Sequence, residues 1–141
     1  MGKRHDLPST YYRVSLKALI FDDQRRLLVF QDKHGEWEVP GGGWEHNEST
    51  DECIKRELAE EVGAIVLSIS QPQFVYVDHE PPGYYKLSII FEVSAKIGET
   101  LSTTDDLVAK AFVDRITFAQ LTFQQTEKTI QNYADQIWST S

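Results

Sequence analysis

Glu57, Glu60 and Glu61 are spaced i, i+3 and i+4, which on an α-helix projects all three carboxylates from one face. Like charges this close repel, and a cation shared between them offsets the repulsion. An all-oxygen donor set suits hard Mg²⁺ or Mn²⁺ rather than zinc. A divalent ion held this way lowers the pKa of a bound water and screens the charge of an anionic substrate. Upstream, Gly41, Gly42 and Gly43 are consecutive. Without side chains, this stretch can bend sharply and offer a backbone carbonyl as a further ligand.

The residues between these two features sharpen the reading. Gly42, five residues, Glu48, seven residues, then Arg56-Glu57-Leu58-Ala59-Glu60-Glu61-Val62-Gly63-Ala64 resembles the Nudix box, G-x5-E-x7-R-E-U-x-E-E-x-G-U with U apolar. Every fixed polar and glycine position is matched. Ala64 departs only in being smaller than the usual aliphatic residue, which bears on packing rather than chemistry. So many fixed positions make the pattern far more specific than a lone glycine motif.

The resemblance implies a set of roles. Glu60 and Glu61 are similar to the family's principal metal ligands, Glu57 to a ligand or water-activating base, and the carbonyl of Gly41 or Gly42 to its backbone ligand. Arg56 resembles the residue that ties helix to loop, with Glu48 as its expected partner. The implied catalytic set is Glu57, Glu60 and Arg56. An additional base can lie outside the box, and Asp105 or Asp106 is favoured over Glu80 and Glu92, since several members place a carboxylate in a loop feeding a late strand. For any one of these acids a solvated surface charge is the competing reading.

Trp44 directly follows the glycines and is a candidate for stacking on a substrate base, with shielding of the loop as the alternative. Trp37, in a Trp-x-x-Pro-Gly-Gly pattern, is expected to plug the loop from below, and Trp138 to lie in the core. Cys53 is expected to pack rather than react, because acidic neighbours raise a thiol's pKa. No pair among His34, His46 and His79 has metal-ligand spacing.

These groups need a scaffold. Residues 12–21 and 26–31 read as a β-hairpin about Asp22-Asp23-Gln24-Arg25, and residues 36–39 as a short strand stopped by Pro40. Ser49 with Glu52 forms a capping-box pattern, and Gly63 supplies a stop. On the helix between them Ile54, Leu58 and Val62 repeat at i, i+4 and i+8 as an apolar stripe. Strands are then expected over 65–70, 73–78, 85–96 and 109–114. A helical pattern follows from about residue 117, with Ile130, Tyr133, Ala134, Ile137 and Trp138 at helical spacing. Strands on both sides of one helix, with another at the end, indicate a layered α/β domain. The resemblance implies, more specifically, an α/β/α sandwich with a mixed β-sheet.

At 141 residues the chain is read as a single domain, residues 1–141, with residues 1–10 as a flexible N-terminal extension. A net charge of −8, with no block of Lys or Arg, argues against long nucleic acid as a partner. A small anionic substrate remains compatible, since bound divalent metal reverses the local sign of an acidic site. One cysteine excludes an intramolecular disulfide. No stretch approaches a membrane span or a leader's apolar segment, so a cytoplasmic protein without membrane association is expected. A homodimer stays open.

The function implied is a Mg²⁺-dependent (or Mn²⁺-dependent) pyrophosphohydrolase that cleaves a nucleoside diphosphate linked to another moiety. The substrate could be a nucleoside triphosphate, a nucleotide sugar, ADP-ribose or a dinucleotide. Neither Pro81 nor Tyr84 matches the proline and tyrosine markers that some subfamilies carry beyond the box. The alternative is a Nudix-fold protein that senses or binds a nucleotide without catalysis. The intact acidic set weighs against it, because loss of catalysis usually begins there.

Overall fold

The computed structural model describes residues 11–80, 83–99, 101 and 106–139, with the side chain of Glu80 set aside. The expected N-terminal extension, residues 1–10, lies outside them. Strand β1 (Tyr12–Leu19) is central to the fold. It pairs antiparallel with the glycine strand β4 (Gly41–Gly43) and parallel with β6 (Tyr84–Lys96), which in turn pairs antiparallel with β5 (Ile65–Glu80). This four-stranded unit, in the order β4-β1-β6-β5, is the mixed sheet. A second, antiparallel unit holds β3 (Trp37–Glu38), β2 (Leu27–Asp32) and β7 (Leu107–Val113).

Alternation along β1 explains the layering. Leu16, Ala18 and Ile20 pack with Ile54, Leu58 and Val62 of helix α1 (Thr50–Val62), the stripe that the spacing predicts. Leu19 faces the opposite way, into a second core with Leu27, Val29, Ile90, Phe118, Ile130 and Ile137. The last three belong to the C-terminal segments, helix α2 (Arg115–Gln120), a 3-10 turn (Lys128–Tyr133) and helix α3 (Ala134–Trp138). Helices therefore cover both faces of the strands, giving an α/β/α arrangement.

Three element expectations are corrected. Residues 12–21 and 26–31 meet at a closed turn, where Leu28 donates its N–H to Ile20 and Phe21 bridges Leu27. Beyond it the two strands part into different sheet units rather than forming a hairpin, because β1 takes β4 and β6 as partners. Residues 65–70 and 73–78 are one long strand, whose register shifts against β6 around Pro72 absorb the break read from the turn-forming sequence. The C-terminal pattern is broken into three short pieces, since the side chains at helical spacing follow the curvature of the second core instead of one straight axis.

Candidate active site

Helix α1 is anchored at both ends by local chemistry. Ser49 Oγ accepts the Glu52 N–H at 3.1 Å, and the Glu52 carboxylate accepts the Ser49 N–H at 2.7 Å. At the other end Gly63 takes the left-handed conformation, φ 60°. No basic residue occupies the last turn. Glu60 and Glu61 thus sit at the negative end of the helix dipole, where a carboxylate is unfavourable unless a cation joins it.

The glycine strand is trapped between β1 and α1. A Cβ on Gly41, whose φ is 126°, would lie 2.2 Å from the Leu16 carbonyl oxygen, and one on Gly42 would lie 2.3 Å from Glu57 Oε1. Only a bare backbone lets the Glu57 carboxylate lie against this strand. Glu61 reaches the same strand from the next turn, and its Oε1 accepts the Gly41 N–H at 3.1 Å. It is 3% exposed. Burial, only partly countered by Lys17 and the Gly41 N–H, pushes its pKa up to about 9. Burial also raises the Glu57 pKa, against the opposing pull of Arg56.

Arg56 binds helix to loop through its fork. Its Nη2 and Nε donate to the two Glu48 carboxylate oxygens at 2.8 and 3.1 Å, Nη2 reaches the Gly43 carbonyl at 3.2 Å, and Nη1 reaches Glu57 at 3.2 Å. This geometry matches the planar, bidentate preference of guanidinium. The hydrogen bond from Arg56 is the main reason that Glu48 is held down to about 2. Glu60 lies furthest out, its side chain 55% exposed and 3.7 Å from Arg56 Nη1.

The structure therefore brings Glu57 and Glu61 to the glycine strand and leaves Glu60 facing solvent. Among the described residues, no three of His, Cys, Asp and Glu already stand at metal-shell spacing. The Gly41 carbonyl looks across to Lys17 Nζ at 3.5 Å. The donor chemistry nonetheless fits a divalent cation. The oxygens are hard, the buried Glu61 carboxylate disfavours its own charge in the absence of one, and the bare backbone cradles Glu57.

Above Glu57 opens a cleft of about 700 Å³, lined among others by Tyr12, Arg13, Trp44, His46 and Asn47. Trp44 is 40% exposed, and its Nε1 donates to the Glu48 carbonyl at 2.9 Å, so loop and indole are tied together. Asp106 is exposed, pairs with Lys33 at 3.5 Å and does not line this cleft. Asp105 lies outside the described residues. Glu92 pairs with Arg25 at 3.6 Å, away from the helix carboxylates. Trp37 and Trp138 pack against the second core. Cys53 is buried, with its thiol pushed up to about 12, chiefly by burial and next by Glu48.

Sequence reasoning missed a buried charge network on the opposite face of β1. Lys17 is 1% exposed and lies 3.4 Å from Glu127 and 3.7 Å from Glu38, while Lys86 also contacts Glu127. Burial works against the Lys17 charge, but the carboxylates of Glu127, Glu38 and Glu61 outweigh it and raise its pKa. A lysine between Leu16 and Ala18 in an apolar strand is the signal that could have flagged it.

The chain is similar to known proteins over most of its length. The family model for the NUDIX domain matches residues 11–133. An ADP-ribose pyrophosphatase from Methanocaldococcus jannaschii is 30% identical over 125 residues, covering 85% of this chain and 72% of that protein. An RNA pyrophosphohydrolase from Saccharophagus degradans is 43% identical over 54 residues, 37% of this chain and only 32% of that protein's length. Among solved structures, the MutT protein from Methanosarcina mazei Go1 superposes with a TM-score of 0.71 at 19% identity, over 93% of this chain and 96% of that one. This last likeness speaks for the fold.

Proposed function

The chain belongs to the Nudix family, a family of pyrophosphate hydrolases that generally use divalent cations, and we propose that it is a Mg²⁺- or Mn²⁺-dependent hydrolase cleaving a nucleoside diphosphate linked to another moiety. The observation that carries the reading is the placement of Glu57. Its carboxylate lies against the bare Gly42 backbone, lines the large cleft and is held by Arg56.

Glu60 and Glu61, with the carbonyl of Gly41 or Gly42, would hold the cation. When bound, it neutralises phosphate charge and acidifies a coordinated water. Glu57 supports a base role at its carboxylate oxygen, since burial raises its proton affinity while Arg56 fixes its direction. Arg56 acts by positioning, because one side chain spans Glu48, the Gly43 carbonyl and Glu57. Trp44 and Tyr12 offer aromatic surface at the cleft for a nucleobase. Among the described residues no helix is long and apolar enough to cross a membrane, and the substrate is read as a small nucleotide-type molecule.

Purified protein with Mg²⁺ or Mn²⁺ should release phosphate-bearing products from a panel of nucleoside triphosphates, sugar nucleotides and dinucleotides. Glu60→Gln and Glu61→Gln should each lower kcat by about 100-fold or more with folding retained. Absence of product from the whole panel would overturn the proposal.

A further inference from the structure

The glycine strand turns two carbonyls away from β1, and a cation meets each. Ala18 donates its N–H to the Pro40 carbonyl and Trp44 donates to the Val14 carbonyl, so the alternation of an antiparallel ladder puts Gly42, opposite Leu16, in the bonded position. The carbonyls of Gly41 and Gly43 then point outward. Gly43 is met by Arg56 at 3.2 Å, and Gly41 by the Lys17 ammonium at 3.5 Å. Glu48 and Glu57 explain what Arg56 does there. The surroundings of Lys17 explain the other cation.

The Lys17 ammonium is suspended rather than docked. Besides the Gly41 carbonyl it lies 3.4 Å from Glu127 and 3.7 Å from Glu38, three long contacts in place of one short one. Lys86 takes the second oxygen of Glu127, while Oε1, the oxygen nearest Lys17, is buried without a hydrogen-bond partner. A cavity of about 230 Å³ adjoins the network, lined among others by Arg13, Lys17, Lys86, Glu38 and the Gly41–Gly43 backbone. With Glu127 included, three positive groups stand against two negative ones. The surplus charge behind the glycine strand is therefore positive.

Gly41 connects this charge to the carboxylate helix. Its carbonyl meets Lys17, and its N–H is the donor to Glu61. Burial acts most strongly against the Glu61 charge and Lys17 is the strongest influence in its favour, whereas for Glu57 that part falls first to Arg56. Lys17 is thus the cation that serves Glu61. Lys86, the other ammonium of the network, is spent on Glu127. Glu61 and the Gly41 carbonyl are also two of the oxygen donors proposed to hold the divalent cation. A fixed positive charge beside both competes with that ion and repels it.

We infer that Lys17 is a built-in counter-cation of the metal site, a positioning residue that holds Glu61 and the Gly41 carbonyl and keeps the affinity for free divalent cation low. This rests on the metal-dependent hydrolase reading above and adds a residue to it. With the free ion held weakly, the metal enters chiefly together with the phosphates that share its charge. The sign of the effect separates this role from a structural one. Loss of a structural residue loosens a site and weakens its ligand, whereas loss of a competing charge tightens it. Even screened as in bulk water, a unit charge a few ångströms from a divalent ion changes its affinity by about tenfold.

Mn²⁺ titration followed by electron paramagnetic resonance of the free ion, without substrate, reads that affinity. Lys17→Met, which keeps the length of the stem, should lower the Kd for Mn²⁺ by about tenfold. Lys86→Met removes the same charge from the same network, but away from Gly41, and should lower it by less than about threefold. Glu38→Gln removes a carboxylate that draws Lys17 off the Gly41 carbonyl, and should raise Kd by about threefold. This third variant decides the matter if Lys17→Met does not fold, and circular dichroism checks each. An unchanged or higher Kd in folded Lys17→Met, an equal fall in both lysine variants, or a Kd that Glu38→Gln leaves unchanged or lowers would overturn the counter-cation role. The hydrolase reading would then still stand. Wild type that binds no Mn²⁺ at all overturns both.

Discussion

Glu61 Oε1 accepts the backbone N–H of Gly41 at 3.1 Å, joining the last turn of the carboxylate helix to the glycine strand across 20 residues of chain. The contact holds a carboxylate in a place that burial makes hostile to its charge, with a pKa raised from 4.5 to about 9. An unfolded chain ionises this group near 4.5, so the folded state loses stability as pH rises from there toward 9. In the presence of a chelator Glu61→Gln should therefore melt with wild type at pH 4.5 and above it at pH 8, by on the order of 1–3 kcal/mol. Added Mg²⁺ should raise the wild-type melting temperature more than that of the variant, since a ligand stabilises the state that binds it. Thermal scans at the two pH values, with and without metal, check this. A wild type more stable than the variant at pH 8 under chelation would contradict it.

Arg56 makes the next prediction, because its role is geometric. Removing it frees Glu48, the Gly43 carbonyl and Glu57 together. Arg56→Ala should destabilise the fold by about 1–3 kcal/mol and lower kcat by more than about tenfold. Arg56→Lys should restore little of the kcat, since an ammonium cannot satisfy a bidentate carboxylate and a carbonyl in one plane. Full recovery of kcat by lysine would show that charge alone matters.

The adjacent glycines should separate stability from activity. An alanine at Gly41 would meet the backbone of Leu16, and its φ of 126° is closed to L side chains. Gly41→Ala should cost more than about 3 kcal/mol or fail to fold. At Gly42 the clash is with the end of the Glu57 side chain, which can turn away. Gly42→Ala should keep its melting temperature within a few degrees while kcat falls about 100-fold, because the displaced group is the proposed base. Circular dichroism with steady-state kinetics on the pair distinguishes the two effects.

What the chain discloses in advance follows from how local the forces are. The capping box, the apolar stripe of α1 and the Gly63 stop depend on residues within a few positions, and each stands where the pattern puts it. A layered α/β domain follows from strands on both sides of one helix, whereas the α/β/α arrangement is implied by the Nudix resemblance and is seen in the two cores on either face of β1. Partner choice does not follow. Nothing between residues 12 and 31 says that β1 and β2 will separate, because that depends on β4, β6 and β7 arriving from elsewhere in the chain. The same limit hid the buried charge network. Lys17, Glu38, Lys86 and Glu127 come from four separate segments, and only the sheet register and the C-terminal cap bring them together.

Asp32 ties that cap to the strands that carry the site. Its carboxylate accepts the N–H groups of His34 and Glu36 at 2.8 and 3.0 Å and Gln124 Nε2 at 2.8 Å, and the same Gln124 amide donates to Glu38 at 2.9 Å. Burial alone would raise the pKa of Asp32, but the hydrogen bonds from Gln124, Glu36 and His34 outweigh it and hold it below 3.8. A depressed carboxylate stabilises the fold fully above its unfolded value, and that stability is lost as pH falls through the lower folded value. Asp32→Asn should cost about 1–3 kcal/mol at pH 7, since an amide cannot accept all these donors as well as a carboxylate does. Below pH 3.8 the gap should narrow, because the unfolded wild-type chain then takes up a proton before the folded carboxylate does. Gln124 also orients Glu38, which does not touch the helix carboxylates, so the variant should leave kcat within about twofold, unlike the Glu57-centred changes. Urea unfolding across this acid range, paired with steady-state kinetics at pH 7, reads both effects. A gap that stays constant below pH 3.8 would show that Asp32 stabilises the fold without its charge.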